Sequence, residues 1–433
     1  MLNIINNFNK NAVHKKQTQL TLLTTIEAFK ETLQLNERKK LNISIAIDTS
    51  QSMLESICGS GINTMYYTKP LNIESNKITI SKMDQAKQAA IKAIENLLPG
   101  DIVSIVGFNS IVTIKQPAIE ISESNKSDII KKIQTLTASG MTNLHGGWLS
   151  SVHEVTKNLS TNSINRVIIL TDGQTNVGIQ DPLQISKDVE KIAEASINTT
   201  TFGIGADFNE DLLQKIANVG GGTFYYVDDS KKLLEMFSSE FMSLSNICVT
   251  DLKIEFQLQN AHISKQWNDL EQVNETFNIG SMSHNNKVNY LFTIDIEKIS
   301  SNKMYNLGKI IVTYKDESDI FKTQFYDLIL PVIPLKVWYS SLENNEIKIQ
   351  EALLEIAANK TKATQALSIG NLAQAKSLLK SSLDYANTRG INDDRLLNES
   401  NILTNTLSMA DTTNISSLRK DISYQSYKTR LNK

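Results

Sequence analysis

Five oxygen-bearing side chains stand out by type and spacing: Asp48, Ser50 and Ser52 in the run Asp48-Thr49-Ser50-Gln51-Ser52, then Thr142, then Asp172 in Leu170-Thr171-Asp172-Gly173. Brought together, two carboxylates and three hydroxyls make an all-oxygen pocket for a hard cation such as Mg²⁺. Taken singly, each has a plainer reading, because turns and helix caps favour these residue types. Asp48 suits a strand-end turn, Ser52 a helix cap, and Asp172 a turn with Gly173. What sets the three stretches apart is that each lies just past a run of apolar β-formers, where an open α/β sheet gathers a binding site.

The elements that must position them follow from the same sequence. Residues 41–48 (LNISIAID) and 165–172 (NRVIILTD) are short, apolar and β-branched, as strands buried on both faces should be. Residues 101–109 and 198–205 share that pattern. Helical stretches lie between them at 81–98, closed by Pro99-Gly100, and at about 142–159, 182–195 and 209–219. Alternating strands and helices predict an α/β fold: a Rossmann-like, doubly wound, mainly parallel sheet with helices on both faces. The strand ends carrying Asp48 and Asp172 then meet at its carboxyl edge.

Residues 39–245 resemble a von Willebrand factor A domain, and the five residues match its metal-ion-dependent adhesion site of Asp-x-Ser-x-Ser, a distant Thr and a distant Asp. The flanking sequences agree. The stretch 139–147 (SGMTNLHGG) resembles the family's glycine-threonine-asparagine loop, and 171–178 (TDGQTNVG) its threonine-aspartate-glycine loop. The resemblance implies that Ser50 and Ser52 bind Mg²⁺ through their hydroxyls, with Mn²⁺ or Ca²⁺ as alternatives. Thr142 would join directly when ligand is bound, and Asp48 and Asp172 would act largely through water. Mg²⁺ dehydrates reluctantly and commonly keeps several waters, in keeping with that division. A site short of direct anionic ligands stays electrophilic, so a partner's Asp or Glu would complete it.

Two departures from the family pattern are visible. Gln51 replaces the usual small glycine, which leaves the ligand atoms in place and adds an amide beside the loop. Residues 54–80, with Gly59, Gly61, Pro70 and Tyr66-Tyr67, intervene before the next helix and are too rich in breakers to be helical. The segment reads either as a flap that shapes partner choice or as a tolerated surface insertion.

Other chemistry finds less support. Gly203-Ile204-Gly205 lacks the third glycine of a dinucleotide loop, and Gly220-Gly221-Gly222 reads as a helix end entering a strand at 223–227. There is no Gly-x-Ser-x-Gly elbow and no His-Glu-x-x-His. His145, three residues after Thr142, reads as an exposed first-turn residue with no partner to orient it for base catalysis. An enzyme is therefore not expected, and a metal-assisted hydrolase stands third behind two binding roles. The first is a metal-dependent module, an intracellular adaptor that captures an acidic residue. The second is a metal-independent scaffold working through the insertion or the C-terminal helices.

The remaining sequence predicts further domains. Residues 247–335 become β-rich with alternating polarity and read as an antiparallel sandwich, joined by a strand within 17–38. Residues 343–433 switch to helical spacing and read as one helical hairpin followed by a basic, frayed tail from Leu418 to Lys433. The 44 Lys and Arg against 46 Asp and Glu give a net charge of -2, which excludes a global basic field for nucleic acid. No apolar run reaches 18 residues and the first 16 residues lack an apolar core, so neither membrane span nor secretory signal is expected. Cys58 and Cys248 make no disulfide framework, and a cytoplasmic location follows by default. The resemblance also implies a possible separate AAA-type ATPase as partner, since this chain has no ATPase motif.

Overall fold

The computed structural model describes residues 2–29, 38–56, 80–301, 303–388 and 393–431. It divides into two compact units, one of residues 37–246 and the other of residues 1–36 with 247–433. Two strands precede the first of these, β1 (Leu2–Phe8) and β2 (Thr18–Ala28).

Among its described residues, the 37–246 unit is built on six strands: β3 (Lys40–Asp48), β4 (Ile102–Phe108), β5 (Val112–Glu120), β6 (Ser163–Thr171), β7 (Asn198–Ile204) and β8 (Gly221–Val227). Their order across the sheet is β5-β4-β3-β6-β7-β8, all parallel except β5. Helices α1 (Lys82–Asn96), α2 (Lys126–Gln134), α3 (Leu144–Thr156), α4 (Pro182–Glu194), α5 (Glu210–Val219) and α6 (Ser230–Ser245) connect and cover it. The central strands are buried along almost their whole length, as their unbroken Ile, Val and Ala content requires of a sheet covered on both faces. Helix α1 turns Ala86, Ala89, Ala90 and Ala93 inward, and Ser81 caps it by accepting the Asp84 N–H at 3.0 Å.

The chain leaves β3 toward β4 and β5 on one side, then returns to place β6 on the other. That reversal opens a crevice at the carboxyl ends of β3 and β6, the position where open α/β sheets bind ligands. The fold is the doubly wound α/β arrangement read from the strand and helix alternation. Strand β5 was not anticipated: Pro117 and exposed polar residues obscure it, and both are tolerated because it is an antiparallel edge strand.

The second unit is a sandwich with a helical part. It adds β9 (Ile247–Leu258), β10 (Ala261–Gln266), β11 (Glu271–Val273), β12 (Thr276–Ser283), β13 (Lys287–Ile296), β14 (Met304–Lys315) and β15 (Phe321–Pro331). A sheet ordered β1-β2-β13-β10 faces one ordered β11-β12-β9-β14-β15, and every pairing is antiparallel. Leu20, Leu22, Ile26, Phe292 and Ile294 meet Ile254, Phe256, Phe277, Ile310 and Val312 in one core. The Phe256 and Phe292 rings cross between the sheets, their centroids 4.8 Å apart in an edge-on arrangement.

Five helices follow among the described residues: α7 (Leu335–Ser340), α8 (Asn345–Ser368), α9 (Leu372–Thr388), α10 (Asp394–Met409) and α11 (Ile415–Leu431). Helix α8 lays Ile347 and Leu354 on Leu23 and Leu291, on the outer face of the four-stranded sheet. The expected single hairpin is thus the first half of a larger bundle. The expected frayed tail is helix α11, with Leu418 and Ile422 buried four residues apart and Tyr427 buried five residues further on. The five basic residues of that stretch drew attention away from this apolar spacing.

Candidate metal centre

Three loops converge at the carboxyl ends of β3 and β6. Asp48 is the last residue of β3, and a single tight helical turn, Gln51–Leu54, follows it. One oxygen of Asp48, Oδ1, accepts the Ser50 N–H at 2.8 Å, and the other, Oδ2, accepts the Thr171 hydroxyl at 2.6 Å. The carboxylate is therefore held from both strands at once. The Ser50 and Ser52 hydroxyls lie 3.0 Å apart, and Ser52 Oγ donates to Asp172 Oδ1 at 2.8 Å. With its hydroxyl hydrogen directed at Asp172, Ser52 accepts from Ser50 and keeps a second lone pair for a cation.

Thr142 arrives from the loop before α3. Its N–H donates to Asn176 Oδ1 at 2.8 Å, and its carbonyl accepts from the N–H groups of Asn176 and Val177 at 3.0 and 3.2 Å. Backbone bonds join this loop to the Asp48 turn as well, from Gln51 N–H to Gly140 O at 3.0 Å and from Ser139 N–H to Thr49 O at 2.8 Å. Asn143 caps α3 through Gly146 N–H at 3.0 Å. Gly178 has φ of +72°, and a β-carbon on it would come within 2.5 Å of Asn143 Oδ1, so only glycine closes that turn.

Gly173 defines the space the oxygens surround. A β-carbon placed on it would lie 3.0 Å from Thr142 Oγ1, 3.7 Å from Ser52 Oγ and 3.8 Å from Asp48 Oδ2. Oxygens from the Asp48 and Thr142 loops thus line one gap that the glycine of the third loop leaves open. Asp48 and Asp172 are fully buried, Ser50 and Thr142 almost so, while Ser52 is half-buried at the opening.

The electrostatics favour a cation. Burial pushes the Asp48 carboxyl up to about 6, hydrogen bonds from Thr171 and Ser50 work against that, and the neighbouring Asp172 charge adds to it. Burial likewise raises Asp172 above the usual carboxylate range, opposed by Lys82 and Ser52. Two buried carboxylates with hydroxyl lone pairs between them suit a hard divalent ion. The donor set and the open gap at Gly173 both fit such an ion. Among the described residues there is no cluster of three or more His, Cys, Asp or Glu that could hold a metal. The candidate centre differs from such clusters in relying on hydroxyls.

All five residues singled out from the sequence meet here. The reading of His145 needs correction, because it is buried and its Nε2 lies 3.0 Å from Asp188 Oδ2 on α4, so it has a partner and is engaged with that helix. Gln51 is exposed and takes part through its backbone. The 54–80 segment lies largely outside the described residues, its near end marked by a bridge between Ser56 and Ser81.

Lys82 was missed. Its ammonium is buried and lies 2.8 Å from Asp172 Oδ2. Burial opposes its charge most strongly, but Asp172 and Glu55 together hold its pKa above the ordinary lysine value. A signal existed in the sequence: a lysine at the first position of a helix sits against the positive end of the helix dipole and wants a local reason.

The sheet order and the placement of the loops define the class as an open α/β binding domain with its crevice at the switch point. Residues 74–239 match the family model of the von Willebrand factor type A domain, and the chain carries a domain of that family. The matched range contains Thr142 and Asp172 and begins beyond the Asp48–Ser52 turn.

Among relatives, uncharacterized protein YfbK of Escherichia coli (strain K12) is 31% identical over 180 residues, 41% of this chain and 31% of that protein. Uncharacterized protein sll0103 of Synechocystis is 22% identical over 337 residues, covering 73% of this chain and 78% of its own length. Inter-alpha-trypsin inhibitor heavy chain H4 of Bos taurus is 29% identical over 184 residues, of which this chain covers only 20%. In fold, the chain resembles a von Willebrand factor type A protein from Catenulispora acidiphila, with a TM-score of 0.71 at 18% identity over 94% of this chain and 88% of that one. The ArnB paralog VWA2 from Sulfolobus acidocaldarius gives a TM-score of 0.61 at 17% identity over 99% and 98% of the two chains.

Proposed function

We propose that this protein is a metal-dependent protein-binding module in which Asp48, Ser50, Ser52, Thr142 and Asp172 hold a divalent cation, Mg²⁺ first, with Mn²⁺ and Ca²⁺ suited to the same donors. Domains of this type mediate protein–protein interaction. The observation that carries the metal reading is the gap at Gly173, lined by oxygens of Thr142, Ser52 and Asp48 and backed by two buried carboxylates.

When bound, the cation supplies a Lewis-acidic position that a partner's Asp or Glu can fill. The serine and threonine hydroxyls provide neutral donors. Both oxygens of Asp48 and of Asp172 are already engaged by protein hydrogen bonds, which suits carboxylates that act through water. His145 is turned to Asp188, so it supplies no base at the crevice, and the reading is of an adaptor rather than an enzyme. A separate AAA-type ATPase is one class of partner, and a chain with two cysteines suits the reducing cytoplasm. No helix among the described residues is long and apolar enough to cross a membrane.

Proteins retained on the immobilised chain in Mg²⁺ should be released by EDTA and should not be retained by Thr142→Ala. One observation favours a metal-independent surface: Phe321, Phe325 and Ile329 are 69%, 63% and 52% exposed along the edge strand β15. Partners held equally by wild type and Thr142→Ala in EDTA, and lost with Phe325→Ser, would establish that second reading.

A further inference from the structure

We infer that Lys82 is a built-in counter-charge of the metal centre, a positioning residue that keeps cation binding weak until a partner carboxylate arrives. The inference rests on the metal-binding reading above. The Lys82 side chain is 3% exposed, and its Nζ lies 2.8 Å from Asp172 Oδ2, 3.3 Å from Glu55 Oε2 and 3.9 Å from Asp207 Oδ2. Glu55 and Asp207 have side chains 66% and 68% exposed, so water screens them, whereas Asp172 is fully buried. The ammonium therefore acts chiefly on Asp172.

Its place is set by backbone and packing. The Lys82 N–H donates to Glu55 O at 2.8 Å, and the side-chain stem passes Gly205, where a β-carbon would come within 3.1 Å of Cε. Asp172 is thus divided between two donors, with Oδ1 taking the Ser52 hydroxyl on the metal side and Oδ2 taking Lys82 behind it. The atoms nearest a β-carbon on Gly173 are Thr142 Oγ1, Ser52 Oγ and Asp48 Oδ2, and Lys82 is not among them.

Charge then decides the behaviour. With Lys82 protonated, the two aspartates and the lysine present one net negative charge to a divalent cation, and the loaded centre keeps one positive charge. A partner's carboxylate neutralises it. Without Lys82 the aspartates alone would balance the cation, and the partner's charge would have nothing to neutralise. At the short separations of a buried site such a difference is large compared with thermal energy. Affinity for metal and affinity for carboxylate are then coupled through one residue, and the coupling is reciprocal.

The test is calorimetric titration of Mg²⁺ into wild type, Asp48→Ala and Lys82→Met, with and without acetate as the carboxylate probe. Lys82→Met should bind Mg²⁺ at least tenfold more tightly than wild type. Acetate should tighten Mg²⁺ binding to wild type and leave the variant unchanged. The variant's unfolding midpoint should be lower than wild type in EDTA and recover more on adding Mg²⁺, whereas a residue that only shored up the fold would shift both midpoints alike. Lys82→Gln, which keeps a hydrogen-bond donor without charge, should behave as Lys82→Met does and serves if the methionine variant does not fold. Wild type binding Mg²⁺ and Asp48→Ala not, with both Lys82 variants equal to or weaker than wild type, overturns the role of Lys82 and leaves the metal centre standing. Absence of binding to every protein overturns both.

Discussion

Asp48→Asn is expected to stabilise the metal-free protein at pH 7.5 while abolishing its response to Mg²⁺. In the folded chain the Asp48 carboxyl is pushed up from 3.8 to about 6, chiefly by burial. A raised carboxyl means that the folded state holds its proton more tightly than the unfolded state does. Stability is therefore highest at acid pH with respect to this group, falls as pH rises from about 4 through 6, and stays at its lower value above that. A carboxyl held at about 6 against an ordinary 3.8 corresponds to about 3 kcal/mol at neutral pH.

Asparagine keeps the shape of the side chain and removes the charge. Denaturant unfolding in EDTA at pH 4.5 and pH 7.5 should show wild type losing stability relative to Asp48→Asn as pH rises. In saturating Mg²⁺ at pH 7.5 the order should reverse, because the cation relieves in wild type the repulsion and desolvation that asparagine removes by another route. A variant less stable than wild type in EDTA at pH 7.5 would show that Asp48 is a structural hydrogen-bond acceptor and not a charge held ready for a cation.

Gly173→Ala should remove metal binding without replacing any ligand residue. The added methyl would stand 3.0 Å from Thr142 Oγ1 and under 4 Å from Ser52 Oγ and Asp48 Oδ2, inside the gap these oxygens line. Gly173 is not among the glycines with positive φ, so alanine meets no backbone strain of that kind. The fold should survive, with a midpoint in EDTA close to wild type. The Mg²⁺-dependent gain should vanish, about 2.7 kcal/mol at a hundredfold excess over Kd. A variant that keeps the wild-type gain would mean that a cation sits elsewhere, and the convergence of oxygens on this gap would lose its meaning.

The fold class was legible because its signals are local. β3 and β6 are runs of β-branched residues that only a doubly covered sheet buries, and the helices between them carry caps and breakers at their ends. Strand β5 was hidden by its edge position, and α11 by a run of charge lying over its Leu418 and Ile422 spacing. Asp48, Ser50, Ser52 and Asp172 were legible because they sit at the ends of β3 and β6, where strand ends converge, whereas Thr142 follows helix α2 and stood out only through the loop sequence around it. The supports of all five were not legible. Thr171, Asn176 and Lys82 act across 123, 34 and 90 residues of sequence, and no local pattern announces such pairings. His145 was misread for the same reason, since its partner Asp188 is 43 residues away.

Thermal unfolding of wild type and Asp48→Ala, each in EDTA and in millimolar Mg²⁺ or Mn²⁺, tests the metal centre most directly. A rise in midpoint confined to wild type is the expected result. Equal midpoints with and without cation for wild type, at concentrations that saturate ordinary Mg²⁺ sites and with acetate present to complete the coordination, would contradict a divalent ion held by Asp48, Ser50, Ser52, Thr142 and Asp172.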